Sequence, residues 1–248
     1  KVFQIIMETI AVLATSHPLI AFKLYLEAAQ ASDQCNCSAI TYEFAKEALL
    51  LYECEVTDSK AQVRAVTSMA GTIINCKRLS GEDYEALITK IAQYSNKLLK
   101  KPDQCRMVTL CSHLFWPDSG KPLEIEGEER EGEGRCAGVD SGRVLECLQR
   151  ALKVASTCSP QLFIDILDRY VYYYEKCHPT IQESYLSGLI ALTNEQLGTT
   201  NETHIGSMSG VAQQNVNVEA HYRNTIAYIR TRQQLPETAE RFSKITLA

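Results

Sequence analysis

The chain has 248 residues, 45% of them apolar, and a mean hydropathy of -0.16, which excludes a collagen-like or wholly disordered polypeptide. Twenty-five Lys and Arg against thirty Asp and Glu leave a net charge of -5. That balance disfavours broad nucleic-acid binding, which is driven by counterion release at cationic surfaces. No uninterrupted apolar run exceeds five residues, as in Ala48 to Tyr52, far short of the roughly 20 needed to cross a bilayer.

Apolar positions at i, i+3, i+4 and i+7 predict ten helices in chain order: 2–15, 18–32, 39–55, 59–78, 81–101, 102–116, 141–156, 160–176, 180–197 and 216–233. The first begins directly after Lys1, with no signal-peptide architecture before it, so the sequence reads as a piece of a longer protein. Ser59 with Gln62, and Thr180 with Glu183, have the spacing of capping boxes, and Ser159-Pro160 that of an N-cap with proline at N1. Pro18 and Pro102 also separate helices. Connections this short force antiparallel neighbours, which predicts an all-α chain of about five helical hairpins, stacked as a HEAT-like α-solenoid in one domain. A closed ten-helix bundle is the competing architecture.

Two stretches break the pattern. Residues 117–140 are Gly-rich and carry Glu124, Glu126, Glu128, Glu129, Glu131 and Glu133, a composition expected to form an acidic disordered loop. Residues 198–215, rich in Gly, Ser, Thr and Asn, are expected to be a second mobile loop.

Ten cysteines without secretory features point to reduced thiols in a cytosolic protein; Cys54, Cys76, Cys105, Cys111, Cys147 and Cys177 are expected to act as small hydrophobes in helices. Cys35 and Cys37 form a C-x-C pair without a second pair at zinc spacing, so neither a metal nor another cofactor is expected. Local motifs of hydrolases, nucleotide-binding loops and zinc proteases are missing. His17, His178, His204 and His221 fall at expected turns or in the tail, where solvated imidazoles are the ordinary outcome. Cys105 or Cys111 with His113 is the one Cys–His combination to weigh as a nucleophile, against a buried structural role for the cysteine.

Two charged clusters stand out. Glu53, Glu55 and Asp58 bracket the turn between the third and fourth helices; Asp58 suits a helix N-terminus, but Glu53 and Glu55 close a helix, where the macrodipole disfavours acids. Lys97, Lys100 and Lys101, at i, i+3 and i+4, would share one face at the end of the fifth helix, either complementing its dipole or forming an electrostatic docking patch.

Whole segments resemble the C-terminal region of the vacuolar protein sorting-associated protein 35 family, the large subunit of retromer. They are KVFQ at 1–4, AITYEF at 39–44, DSKAQ at 58–62, KLLKKPDQCR at 97–106, CSHLFW at 111–116, GRVLECL at 142–148, LFIDILDRY at 162–170 and residues 222–232. The resemblance implies a solenoid scaffold without enzymatic activity, cytoplasmic and peripheral on endosomal membranes. Its implied partners are the small retromer subunit of metallophosphoesterase fold (the vacuolar protein sorting-associated protein 29 family) and a second copy of itself in the coat. An arrestin-like subunit would bind through a part absent from this chain, and membrane association would be indirect.

The resemblance also matches Glu53, Glu55, Asp58, Lys97, Lys100 and Lys101 to positions associated with self-association. For the small subunit, Arg106 and His113 lie seven residues apart, nearly two helical turns, and are expected to face one groove while Met107, Leu110 and Leu114 pack inward. Trp116 is expected either to anchor that partner or to plug the core. The alternatives are a helical enzyme whose active site forms only in three dimensions and a generic HEAT-repeat transport adaptor.

Overall fold

The computed structural model describes residues 1–116, 140–203 and 209–247. Eleven α-helices and one short 3-10 turn make up its regular structure, and no strand occurs among the described residues. The helices are α1 (Val2–Ala14), α2 (Pro18–Gln34), α3 (Ser38–Glu55), α4 (Ser59–Asn75), α5 (Gly81–Lys97) and α6 (Lys101–Cys111), with the 3-10 turn over Ser112–Leu114. They continue as α7 (Ser141–Ala155), α8 (Gln161–Glu175), α9 (Glu183–Thr203), α10 (Ser209–Gln234) and α11 (Ala239–Phe242). The all-α class expected from periodicity is therefore observed. The chain divides into two compact units, residues 1–147 and 148–248.

In the first unit, packing is local in chain order. Each of α1 to α6 packs on its sequence neighbours, α2 also packs on α4 and α4 on α6, and α3 packs on α5. Even-numbered and odd-numbered helices thus form two layers, as stacked hairpins in a solenoid must. The α2–α3 hairpin is the closest: Ala21, Ala28, Ala29, Ala45 and Ala48 are buried along it, and the buried hydroxyls of Ser32 and Thr41 meet at 2.9 Å. Phe44, Met69, Ile73, Tyr84, Ile88 and Ile91 fill the space between the layers. Tyr84 stays satisfied there by donating to the Leu114 carbonyl at 2.8 Å.

Helix ends differ from the expectation in instructive ways. The N-cap of α4 is Asp58, whose carboxylate accepts from the Ala61 amide at 2.8 Å, while Gln62 donates back to the Val56 carbonyl at 3.0 Å. A carboxylate at the positive helix end outcompetes the Ser59 hydroxyl expected there. The Thr180 hydroxyl lies 3.1 Å from Nδ1 of His178, and α9 starts three residues later at Glu183. Helix also occupies residues 198–203 and 209–215, so most of the expected second loop is regular structure; 204–208, like the acidic stretch 117–139, lie outside the described residues.

The second unit centres on α8. Phe163, Ile166, Leu167, Tyr170, Val171 and Tyr174 are buried as their spacing predicts, but so are Leu162, Ile164 and Tyr173. Helix α8 packs on both α9 and α10, which is why its apolar surface exceeds a single stripe. The tail after α10 had no expected structure, yet it forms α11, which seats Phe242 edge-on against Tyr174 at 5.2 Å. Gln233 holds that tail by donating to the carbonyls of Phe242 and Ile245 at 3.1 and 3.0 Å.

His178 is buried, 2% exposed, rather than solvated. Burial pushes its pKa from the ordinary 6.5 down to about 4, and the Thr180 hydroxyl can donate to its Nδ1. The folded state therefore keeps the ring neutral while the unfolded chain takes up a proton as pH falls below 6.5. Stability should decline between pH 6.5 and about 4, by roughly 2 to 3 kcal/mol, and level off below. Denaturant titrations of wild type and His178→Gln across that window check this; the variant should lose that component of the slope.

Candidate functional site

The acidic and basic clusters converge on one edge of the first unit. Helix α3 ends at Glu55, α4 begins just after Asp58, α5 ends at Lys97 and α6 begins at Lys101, so the α3–α4 and α5–α6 turns follow helices that pack side by side. Glu53 feels the charge of Lys97 directly.

The acids are unequal. Tyr94 donates to Glu53 at 2.6 Å and Lys90 approaches it at 3.5 Å; that hydrogen bond first, and the cation second, hold the carboxyl below the usual carboxylate range. Asp58 is committed to the α4 cap. Glu55 is exposed.

The lysines differ from the expected single helical face. Helix α5 stops at Lys97, Leu98 turns inward and is buried, Lys100 is the N-cap of α6 and Lys101 its first residue. Only Lys97 sits where a helix dipole favours a cation. Lys100 and Lys101 stand at the positive end of α6, so dipole complementation does not explain them, just as it does not explain Glu53 and Glu55 at the negative end of α3. Within the chain Tyr94 and Lys90 complement Glu53, and Asp58 and Lys97 stand at helix ends that favour their charge.

Between α3 and α5, beside this edge, lies an open cavity of about 640 Å³ with Leu49, Leu50, Leu87 and Tyr94 on its walls and Glu53 at its rim. Farther along, Arg143 lies over the Phe115 ring at 4.0 Å, bonds Glu85, and donates to Thr89 at 2.9 Å. The Asp140 amide donates to the Phe115 carbonyl at 3.1 Å, so the backbone on either side of residues 117–139 is pinned together.

On α6 the inward face is Cys105, Val108, Thr109 and Cys111, with Leu114 beyond the helix. Met107 and Leu110, expected inside, are half-buried; Met107 instead accepts from the Thr67 hydroxyl at 3.4 Å. Arg106 is exposed and 3.8 Å from Asp103. His113 lies in the 3-10 turn that follows α6, where Cys111, Ser112 and Phe115 keep right-handed helical backbone angles. His113 and Trp116 are both half-buried.

The Cys–His candidate does not suit nucleophilic chemistry. Burial pushes the Cys111 thiol up to about 12, opposite to the shift an attacking thiolate needs. Cys76 and Cys105 are buried as expected, whereas Cys54 and Cys177 are exposed and Cys147 is half-buried. A second polar convergence lies between α8 and α10. His221 Nε2 is 2.8 Å from Asp168, its Nδ1 is 2.8 Å from Gln161, and Thr225 donates to Asp168 at 2.7 Å. The hydroxyl thus points at the carboxylate rather than at the imidazole, so the cluster clamps two helices and activates no nucleophile. No group of three or more potential metal ligands occurs among the described residues, and no described helix is long and apolar enough to cross a membrane.

Comparison with known proteins adds a family. The family model for vacuolar protein sorting-associated protein 35 matches residues 1–196. Vacuolar protein sorting-associated protein 35B of Arabidopsis thaliana is 38% identical over 214 residues, 81% of this chain and 25% of that protein. The 35A protein of the same plant is 40% identical over 209 residues, 79% of this chain and 25% of that protein. Vacuolar protein sorting-associated protein 35 of Schizosaccharomyces pombe is 40% identical over 183 residues, 72% of this chain and 21% of that protein. The chain thus spans about a quarter of the length of these relatives.

Proposed function

The chain belongs to the vacuolar protein sorting-associated protein 35 family, and from that premise we propose that it is a scaffold segment of the retromer coat. In this reading it cradles the small metallophosphoesterase-fold subunit and meets a second copy of itself during retrograde and recycling transport of cargo. It acts in the cytoplasm, held peripherally at endosomal membranes through its partners. The arrestin-like subunit binds elsewhere on the longer protein. The observation that carries the proposal is the match through residues 1–196, which spans every helix of the first unit and both charged clusters.

Two features support the division of labour. Glu53, Glu55, Asp58, Lys97, Lys100 and Lys101 gather at one edge, where Glu55, Lys100 and Lys101 stand at helix ends that disfavour their charge, and a chain carrying both signs can pair them twice across a two-fold axis. Arg106, His113 and Trp116 lie along α6 and the turn after it, in the even-numbered layer, and form the surface assigned to the small subunit.

Co-purification of this chain with the small retromer subunit tests the proposal. A complex at micromolar concentration is expected, and Arg106→Glu should weaken it at least tenfold with helicity unchanged, because an exposed cation at an interface rim can be reversed without disturbing the fold. Absence of any complex, or full binding by the Arg106 variant, would remove the small-subunit assignment.

A further inference from the structure

The C-x-C pair is the sequence motif that a scaffold role leaves unused. Cys35 and Cys37 flank Asn36 in the turn that joins α2 to α3. The Asn36 amide donates to the Asp33 carbonyl at 3.1 Å and the Cys37 amide to the Ser32 carbonyl at 3.0 Å, which is the bonding of a Schellman cap. Asn36 takes the left-handed conformation that such a cap requires, with φ of 60°, where asparagine is better tolerated than most side chains. The two cysteines are therefore held on either side of one sharply folded residue, by backbone bonds that involve neither thiol.

Reach and access suit the pair to thiol–disulfide exchange. Across one left-handed residue the flanking Cα atoms stand about 5 to 6 Å apart, inside the range of roughly 4.4 to 6.8 Å that a disulfide spans. The Cys37 sulfur already turns back on Cys35, 3.5 Å from its carbonyl oxygen. Both thiols are free, Cys35 exposed and Cys37 half-buried, so a small dissolved disulfide can reach Cys35 first and Cys37 can follow from within the chain. The buried thiols of Cys76, Cys105 and Cys111 offer no such access. A bridge closing so small a ring at an exposed turn belongs to the strained, readily reduced class of disulfides rather than to the structural one.

We infer that Cys35 and Cys37 form a reversible redox site that exchanges with a low-molecular-weight disulfide of the glutathione type. The Cys35 sulfur, having released its proton, attacks one sulfur of glutathione disulfide; that S–S bond breaks, the departing sulfur takes up a proton, and a mixed disulfide is left on Cys35. Cys37 then attacks the Cys35 sulfur, and the second glutathione leaves with the Cys37 proton. Two protein thiols and one glutathione disulfide thus become one internal disulfide and two glutathione thiols, the protein pair being oxidised and glutathione reduced. The site lies at the end of α2 beside Asp33, whereas the charged clusters lie past the far end of α3, so the exchange is independent of the contacts proposed above.

The test incubates the folded chain with reduced and oxidised glutathione at set ratios, traps the remaining thiols with iodoacetamide and weighs the tryptic peptide 24–46, in which Cys35 and Cys37 are the only cysteines. In wild type that peptide should lose two hydrogens and gain neither glutathione nor an alkyl group, to an extent that rises with the proportion of glutathione disulfide. Cys37→Ser should stop at the mixed disulfide on Cys35. Wild type should clear its own mixed disulfide at least about tenfold faster than Cys37→Ser at the same glutathione concentration, because the second thiol acts within the chain. Glutathione or alkyl groups on both wild-type cysteines, with no internal bridge at any ratio, overturn the inference. In concentrated urea closure should slow by at least about tenfold, since the cap that holds the pair is gone. Equal closure in the folded and the urea-unfolded chain overturns the inference as well, because the pairing would then owe nothing to the turn.

Discussion

Asp33→Ala should lower the thermal unfolding midpoint by roughly 10 °C, the largest loss expected from a single substitution outside the apolar core. Asp33 is 4% exposed near the end of α2, and its carboxylate accepts from the amides of Lys77 and Arg78, both at 2.8 Å, in the turn that follows α4. Arg78 returns the contact by donating to the carbonyls of Asp33 and Gln34 at 2.8 and 3.2 Å, satisfying groups the α2 terminus leaves open. Alanine removes both acceptors and takes from the two amides their side-chain partner, which costs roughly 3 to 4 kcal/mol. Asparagine keeps one acceptor but presents an amide donor to the second N–H, so about half that loss is expected. Calorimetry of the three proteins separates these outcomes, and equal midpoints for wild type and Asp33→Ala would show that water replaces the carboxylate.

Reversing Lys97, Lys100 and Lys101 to Glu should reduce self-association at least a hundredfold at low salt. A two-fold contact uses each lysine twice, so six weak attractions become six weak repulsions, each on the order of 0.5 kcal/mol. The effect should shrink as salt rises toward a Debye length of about 3 Å at 1 M. The fold has reason to tolerate the change: all three side chains are exposed, and acids at Lys100 and Lys101 would suit the positive end of α6 better than lysines do. Melting at or above the wild-type temperature together with lost association is therefore the expected signature. Undiminished sedimentation of the triple variant would return the lysines to the role of ordinary surface charges.

Helix existence and order were legible in the sequence because they depend on local periodicity: the six helices of the first unit start within two residues of their expected positions. The boundary between α5 and α6 was misplaced. The stretch 81–101 looks continuous by apolar spacing, yet the backbone breaks after Lys97, because burying Leu98 and starting α6 with Pro102 in its first turn satisfies more of the chain than extending α5. That break exposes Leu99 and moves two lysines onto a new helix, neither of which spacing can report.

The sequence by itself determined the all-α class, the hairpin punctuation, the two clusters of opposite charge and the family, since each is written in short-range pattern or in strings of consecutive residues. Only the tertiary structure decided which polar groups are committed within the chain. Asp33 is marked by nothing in its sequence neighbours until the turn after α4 folds onto it, and His178 reads as a loop imidazole until burial makes it neutral. Glu53 belongs to an acidic cluster in sequence and to Tyr94, forty-one residues away, in space. The energy of a polar group depends on partners brought close by packing and on the water that packing removes, and neither quantity is a property of sequence neighbours.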